Sequence, residues 1–212
     1  MVLIIDTETT GLEGYPKDRV LEIGIAEYDE LSGEISPVYS EMIRYDDIRT
    51  VDEEYVNGRD GSKGIWIYRN SDMKIEETLN AAKDLNTVVK EVRELVHGKA
   101  ITSYNVGFDF GKFLYSEPWN LKWITARRYD IMDLATKKVM LMARSDSIGD
   151  KKLQERLLFE EANSPYPNKW VRSENAYRVL CPDDPMDLEK QTHRALDDAI
   201  MEGWILKAIM EA

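Results

Sequence analysis

The chain opens on MVLIIDTETTGL, and this stretch constrains the fold more than any other. Four consecutive apolar residues, Val2 to Ile5, leave no polar side for water, so they read as a central strand buried on both faces. Asp6 and Glu8 follow at i and i+2, so both side chains leave the strand on the same face. Two carboxylates at the mouth of a buried strand repel each other unless a cation or a proton relieves them. In open α/β sheets, sites gather at strand ends.

The remaining pattern is that of a mixed α/β domain. RVLEIGIAEYD and VYSEMIRY are further strands, and ISPV predicts a break before the second, because proline cannot donate within a ladder. LNTVVKEVRELVHG has apolar positions at 85, 88, 89, 92, 95 and 96, an amphipathic helix stopped by Gly98. KAITSY is a fourth strand, GFDFGKFLYS starts a helix, and ARRYDIMDLATKKVMLMA reads as strand then helix. A last helix runs from Arg194 to about Met210. No repeat or linker divides residues 1–212, so a single domain is expected. It carries an extended loop over about 46–80 and a longer helical segment over about 144–190, broken at SPYPN and CPDDP. Within the loop, IWIY reads as an extra edge strand with Trp66 and Tyr68 on one face. Such aromatics can stack on bases of a single strand, but edge-strand packing is their commoner use. Trp119 and Trp123 flank Lys122, a mix that suits a substrate groove or, for one of them, the core.

Composition narrows the chemistry. One cysteine and two histidines exclude a disulfide framework and disfavour a thiolate or imidazole zinc site, so any metal must be held by oxygen. No run approaches a membrane span or a signal peptide, and a cytoplasmic protein with no membrane partner is expected. The net charge of −12, from 28 basic and 40 acidic residues, opposes tight binding to long nucleic acid. From Trp119 to Arg156, however, nine basic residues face five acids, a local excess that suits either a polyanion groove or a solvated surface.

HRALDDA, residues 193–199, puts one of the two histidines before two adjacent acids. Helix spacing alone pairs His193 with Asp197. Asp109, in SYNVGFDFGKF, also suits an ordinary helix cap. No nucleophile elbow and no glycine-rich phosphate loop stands anywhere in the chain.

DTETTGL, NVGFDFGKF and HRALDDA, in that order, resemble the three motifs of the DEDD-type 3′–5′ exonucleases. The third motif resembles that of the histidine-bearing DEDDh branch, within the ribonuclease-H-like superfamily. RVLEIGIAEYD and YDIMDLA are similar to the family's second strand and to its fifth strand with the following helix. The resemblance covers about residues 1–145 and 173–210. It implies a ribonuclease-H-like fold with a mixed central sheet flanked by helices. It further implies that Asp6, Glu8, Asp109 and Asp198 are catalytic metal ligands for two Mg²⁺ or Mn²⁺ ions, and that His193 is the general base. The H-x4-D spacing selects Asp198 over Asp197, because the family's histidine precedes the helix. Residues near Thr7, Glu8 and Thr9 are expected to contact the terminal nucleotide. The implied reaction is hydrolysis of the 3′-terminal phosphodiester of single-stranded DNA or RNA, including short oligonucleotides, to nucleoside 5′-monophosphates. A homodimer or a polymerase partner is compatible with the resemblance.

Three features depart from the family. Tyr104 stands where many relatives carry histidine, leaving His97 as a helix-end residue. Phe113 comes one residue later than the usual aromatic anchor, and residues 144–190 exceed the usual linking segment. Two other readings stay open. A haloacid-dehalogenase-like magnesium phosphotransferase would use Asp6 as nucleophile and suit Asp197 and Asp198, but it gives His193 no role. A non-catalytic exonuclease-like binding scaffold is the other, although all five site residues are present.

Overall fold

The first strand is central. The protein is described here by a computed structural model covering residues 1–58, 61–163, 171–183 and 193–211. Strands β1 (Val2–Thr9), β2 (Val20–Tyr28) and β3 (Ile35–Arg44) form an antiparallel meander. Three short helices follow, α1 (Ile48–Glu54), α2 (Trp66–Asn70) and α3 (Ile75–Asn80), then β4 (Lys83–Asp84) and α4 (Leu85–Val96). After β5 (Ala100–Thr102) come α5 (Val106–Phe108) and a π-helical turn over Asp109–Leu114. Then follow β6 (Ala126–Arg127), α6 (Ile131–Arg144), α7 (Lys151–Asn163), α8 (Ser173–Leu180) and α9 (Ala195–Met210). The sheet order is β4-β3-β2-β1-β5-β6, with β5 parallel to β1, so it is mixed as expected.

Alternation along β1 explains its apolar run. Leu3 and Ile5 enter one core with Val88 and Val92 of α4, while Ile4 enters another beneath α6, α8 and α9. Burial of each such side chain contributes about 1.5–3 kcal/mol. Gly98, at φ 71°, stops α4 in the left-handed region that glycine adopts without steric cost. Helix α9 comes so near β2 that a Cβ at Gly24 would lie 2.2 Å from the Ala195 carbonyl carbon. Only glycine there lets the start of α9 sit on the sheet.

Three expectations need correction. Pro37 interrupts no strand: it lies inside β3, opposite Ala26 at a register irregularity, where β4 does not flank β3. An edge position beside a bulge needs no proline N–H. The 46–80 segment carries the three short helices α1–α3, and its IWIY piece enters α2 instead of forming an edge strand. It has its own small core of Ile48, Ile65, Ile67 and Met73 against Leu21 of β2. In α2, Trp66 and Tyr68 point apart: the Tyr68 hydroxyl meets Thr78 Oγ1 at 2.7 Å, whereas Trp66 faces solvent. Trp119 is core and Trp123 is 80% exposed, with the Lys122 ammonium 5.2 Å above its ring.

The basic stretch is partly neutralised. Arg128, Arg144, Lys151 and Arg156 form ion pairs with Glu30, Glu161, Asp146 and Glu160. The SPYPN break and the end of CPDDP lie outside the described residues. Among the described residues no helix is long and apolar enough to cross a membrane.

Candidate active site

Asp6 and Glu8 leave β1 towards α9, and the residue between them points the other way. The Thr7 hydroxyl donates to Asp109 Oδ1 at 2.8 Å, fixing the second motif against the first. Asp109 opens the π-helical turn, which Asn105 precedes as the cap of α5, accepting from the Phe108 N–H. A π turn holds one more residue than an α turn. It therefore accommodates the late aromatic: Phe113 still reaches the core that Phe110 also enters.

The third motif is placed by a polar clamp that the sequence does not advertise. Glu22 pairs with Glu8 across β1 and β2, and it is almost fully buried. Its carboxylate accepts from Arg194 Nη2 at 2.7 Å, from Arg194 Nε at 3.0 Å and from the Ala195 N–H at 3.0 Å. Arg194 also donates to Glu77 of α3 at 3.0 Å. Glu22 thus caps α9, which lacks a side-chain cap of its own, and Arg194 offsets the cross-strand acids. A bidentate guanidinium–carboxylate pair of this kind, with its carboxylate buried and its guanidinium half-buried, fixes orientation strongly. His193, immediately before the clamp, adopts φ 48°, a left-handed conformation unusual for a non-glycine residue. This places it outside the helix, so i,i+4 spacing does not relate it to Asp197, which is exposed. Ligand atoms of Glu8, His193 and Asp198 all lie within 4.8 Å of one another.

The cluster is strongly acidic. Burial, then the charges of Glu202, Asp109, Asp198 and Glu8, holds the Asp6 carboxyl well above the usual range. Burial, then Asp198 and Glu22, does the same to Glu8, opposed by Arg194. Burial pushes Asp109 up to about 7 despite the Thr7 hydrogen bond. The buried Ser103 hydroxyl lies near enough to favour its charged form without meeting hydrogen-bond geometry. Glu202 is a fifth acid that the motif comparison missed. It is buried four residues after Asp198, accepts the Tyr104 N–H at 3.1 Å, and is held well above its ordinary range by burial and then by Asp109 and Asp198. The signal was present, since positions four apart share a helix face. Such mutual repulsion, in an all-oxygen set with one imidazole, fits hard divalent cations.

A stability prediction follows from the sign of these shifts. A folded carboxyl with a raised pKa binds its proton more tightly than the unfolded chain does. The stability it confers is present below the unfolded value of 3.8 and is lost as pH rises through about 7, for Asp109. In chelator the melting temperature is expected to fall between pH 4 and about 8, and Mn²⁺ or Mg²⁺ is expected to restore it at the alkaline end. A melting temperature that climbs over that range in chelator contradicts this account.

A family model for the RNase T exonucleases matches residues 3–164, most of the chain. The chain belongs to this exonuclease family. The match ends before HRALDDA, so the third motif is tied to the other two by the geometry alone. No curated protein sequence matches the chain. Among solved structures it is similar to E. coli exonuclease I in complex with a dA16 oligonucleotide, at 15% identity and a TM-score of 0.58. The alignment covers 98% of this chain and 40% of exonuclease I. It is also similar to cell-death related nuclease 4, at 12% identity and a TM-score of 0.50, covering 99% of this chain and 63% of that protein. The chain therefore spans less than two thirds of either protein's length. These likenesses show the ribonuclease-H-like fold. Family membership supports a nuclease and leaves the haloacid-dehalogenase alternative without a basis.

Beside the acids, this exonuclease-family chain has a cleft of about 590 Å³. Thr7, Glu8, Thr9 and Leu12 line one side; Tyr55, Trp66 and Phe108 close it. The hydroxyls of both threonines are already used: Thr7 on Asp109, Thr9 on the Gly11 carbonyl at 2.7 Å. Both threonines nevertheless border the cleft together with Glu8. His97 is exposed at the end of α4 and lines only a shallow depression remote from the motifs. Tyr104 is buried, its hydroxyl donating to the Val171 carbonyl at 2.7 Å.

Proposed function

We propose that residues 1–212 form a single DEDDh-type exonuclease domain that removes nucleotides from the 3′ ends of single-stranded DNA or RNA, releasing nucleoside 5′-monophosphates. The observation that carries this reading is the approach of Glu8, His193 and Asp198 to within 4.8 Å from opposite ends of the chain, at the mouth of an open cleft. Asp6, Glu8, Asp109 and Asp198 would hold two Mg²⁺ or Mn²⁺ ions. When bound, such ions supply positive charge for an attacking water and for the leaving oxygen of an in-line displacement.

The protein's own groups do the rest. His193, on its left-handed backbone beside Glu8 and Asp198, accepts the proton of the attacking water on a ring nitrogen. Arg194, Glu22 and the Ala195 N–H hold that imidazole's backbone in place. Thr7 keeps Asp109 turned to the cluster. The cleft of about 590 Å³ has room for a terminal nucleotide, and the net charge of −12 favours short substrates. A cytoplasmic setting, and a homodimer or polymerase partner, accord with this reading.

The test uses 5′-labelled single-stranded DNA and RNA of matched sequence, with Mg²⁺, Mn²⁺ or EDTA. Shortening from the 3′ end that requires metal and disappears in Asp6→Ala is expected. Failure of the wild type to shorten either strand with both metals, or equal shortening by Asp6→Ala, overturns the proposal.

A further inference from the structure

We infer that Trp66 is a nucleobase-stacking residue that also positions His193 through its ring edge; this rests on the exonuclease reading above. The indole is 45% exposed, an unusual state for a tryptophan whose neighbours on both sides, Ile65 and Ile67, are buried. Those neighbours anchor the backbone in the small core with Met73 and Leu21. The Ile65 N–H donates to Asp52 Oδ1 at 2.7 Å, the Gly64 N–H to the Tyr55 carbonyl at 2.8 Å, and Arg69 to the Gly64 carbonyl at 2.9 Å. A rigid frame thus presents an exposed aromatic, which core packing does not explain.

Two contacts give the indole a purpose. It lines the cleft that also borders Glu8. Its ring meets the His193 imidazole edge-on, with centroids 6.2 Å apart and planes at 72°. That lies within the range of favourable aromatic pairs. The neighbouring helix α3 grips the next residue, Arg194 donating to Glu77. The π-face of the indole suits any base, so the chemical class recognised is an unpaired purine or pyrimidine at a chain end rather than a particular sequence.

The experiment compares wild type, Trp66→Leu and Trp66→Phe, with Trp123→Leu as a control at a remote exposed tryptophan. Trp66→Leu is expected to lower kcat/KM on a labelled oligonucleotide about 10- to 100-fold, through both KM and kcat. Trp66→Phe is expected to recover most of this, and Trp123→Leu to behave as wild type. Titration with dAMP or AMP should quench wild-type fluorescence and not that of Trp66→Phe. The His193 imidazole C–H resonances, identified by their absence in His193→Ala, should lose a ring-current shift in Trp66→Leu. If the wild type cleaves and Trp66→Leu matches it in kcat and KM, this inference falls and the exonuclease reading stands. If the wild type cleaves nothing but dAMP still quenches through Trp66, the exonuclease reading falls and the base-stacking site stands. No quenching of wild type by either nucleotide overturns the site.

Discussion

Asp198→Ala is expected to lose 3′-end cleavage and divalent-cation binding together, whereas Asp197→Ala keeps both within a few-fold. The two aspartates are neighbours with the same chemistry, and only their direction from α9 differs. Asp198 turns to Glu8 and His193, while Asp197 is exposed at the first turn of the helix. Asp198's like-charge neighbours Asp6, Glu8 and Glu202 are tolerable in the cluster only with counter-charge. Loss of a supporting outer residue at a metal site typically costs about 10–100-fold in affinity or activity. Removal of a direct ligand should exceed that. Isothermal titration with Mn²⁺, beside single-turnover cleavage, measures both effects. Equal losses from the two variants would undo the assignment of Asp198.

His193→Ala should separate what Asp198→Ala joins. A positioned general base contributes about 10²–10⁴-fold, so the single-turnover rate should fall by that amount while Mn²⁺ affinity changes little. The geometry makes this a real contest, because His193 is near enough to Glu8 and Asp198 to serve as a ligand itself. If the variant loses Mn²⁺ binding in step with its rate, His193 is a ligand and the proton goes elsewhere. The left-handed backbone of His193 favours the first outcome only in concert with the clamp behind it. Arg194 and Glu22 set where the imidazole stands.

How much of this was legible beforehand differs by residue. Val2–Ile5 showed that β1 is central, because an unbroken apolar run leaves no face for water. The acids of DTE followed from the same strand's period of two. Helix α4 and its stop at Gly98 were equally local. The 46–80 segment was misread because its apolar residues are few, and their burial needs Leu21 of β2 as a partner. Pro37 was misread because a proline is excluded only where its N–H is needed, and the sheet leaves that edge of β3 unpaired.

The sequence by itself determined the central strand and the order of the three acidic motifs, whereas the preference for Asp198 over Asp197 rests on the family resemblance, since helix spacing alone favours Asp197. Periodicity and spacing are properties of neighbours along the chain, so they could be read without coordinates. Only the tertiary structure decided that Glu22 caps α9 and holds Arg194, that the Tyr104 N–H reaches Glu202, and that Trp66 meets His193. Those partners lie far apart in sequence, Glu22 and Arg194 being 172 positions apart. Their meeting depends on the register of β1 with β2 and on the close approach of α9 at Gly24, which only packing sets.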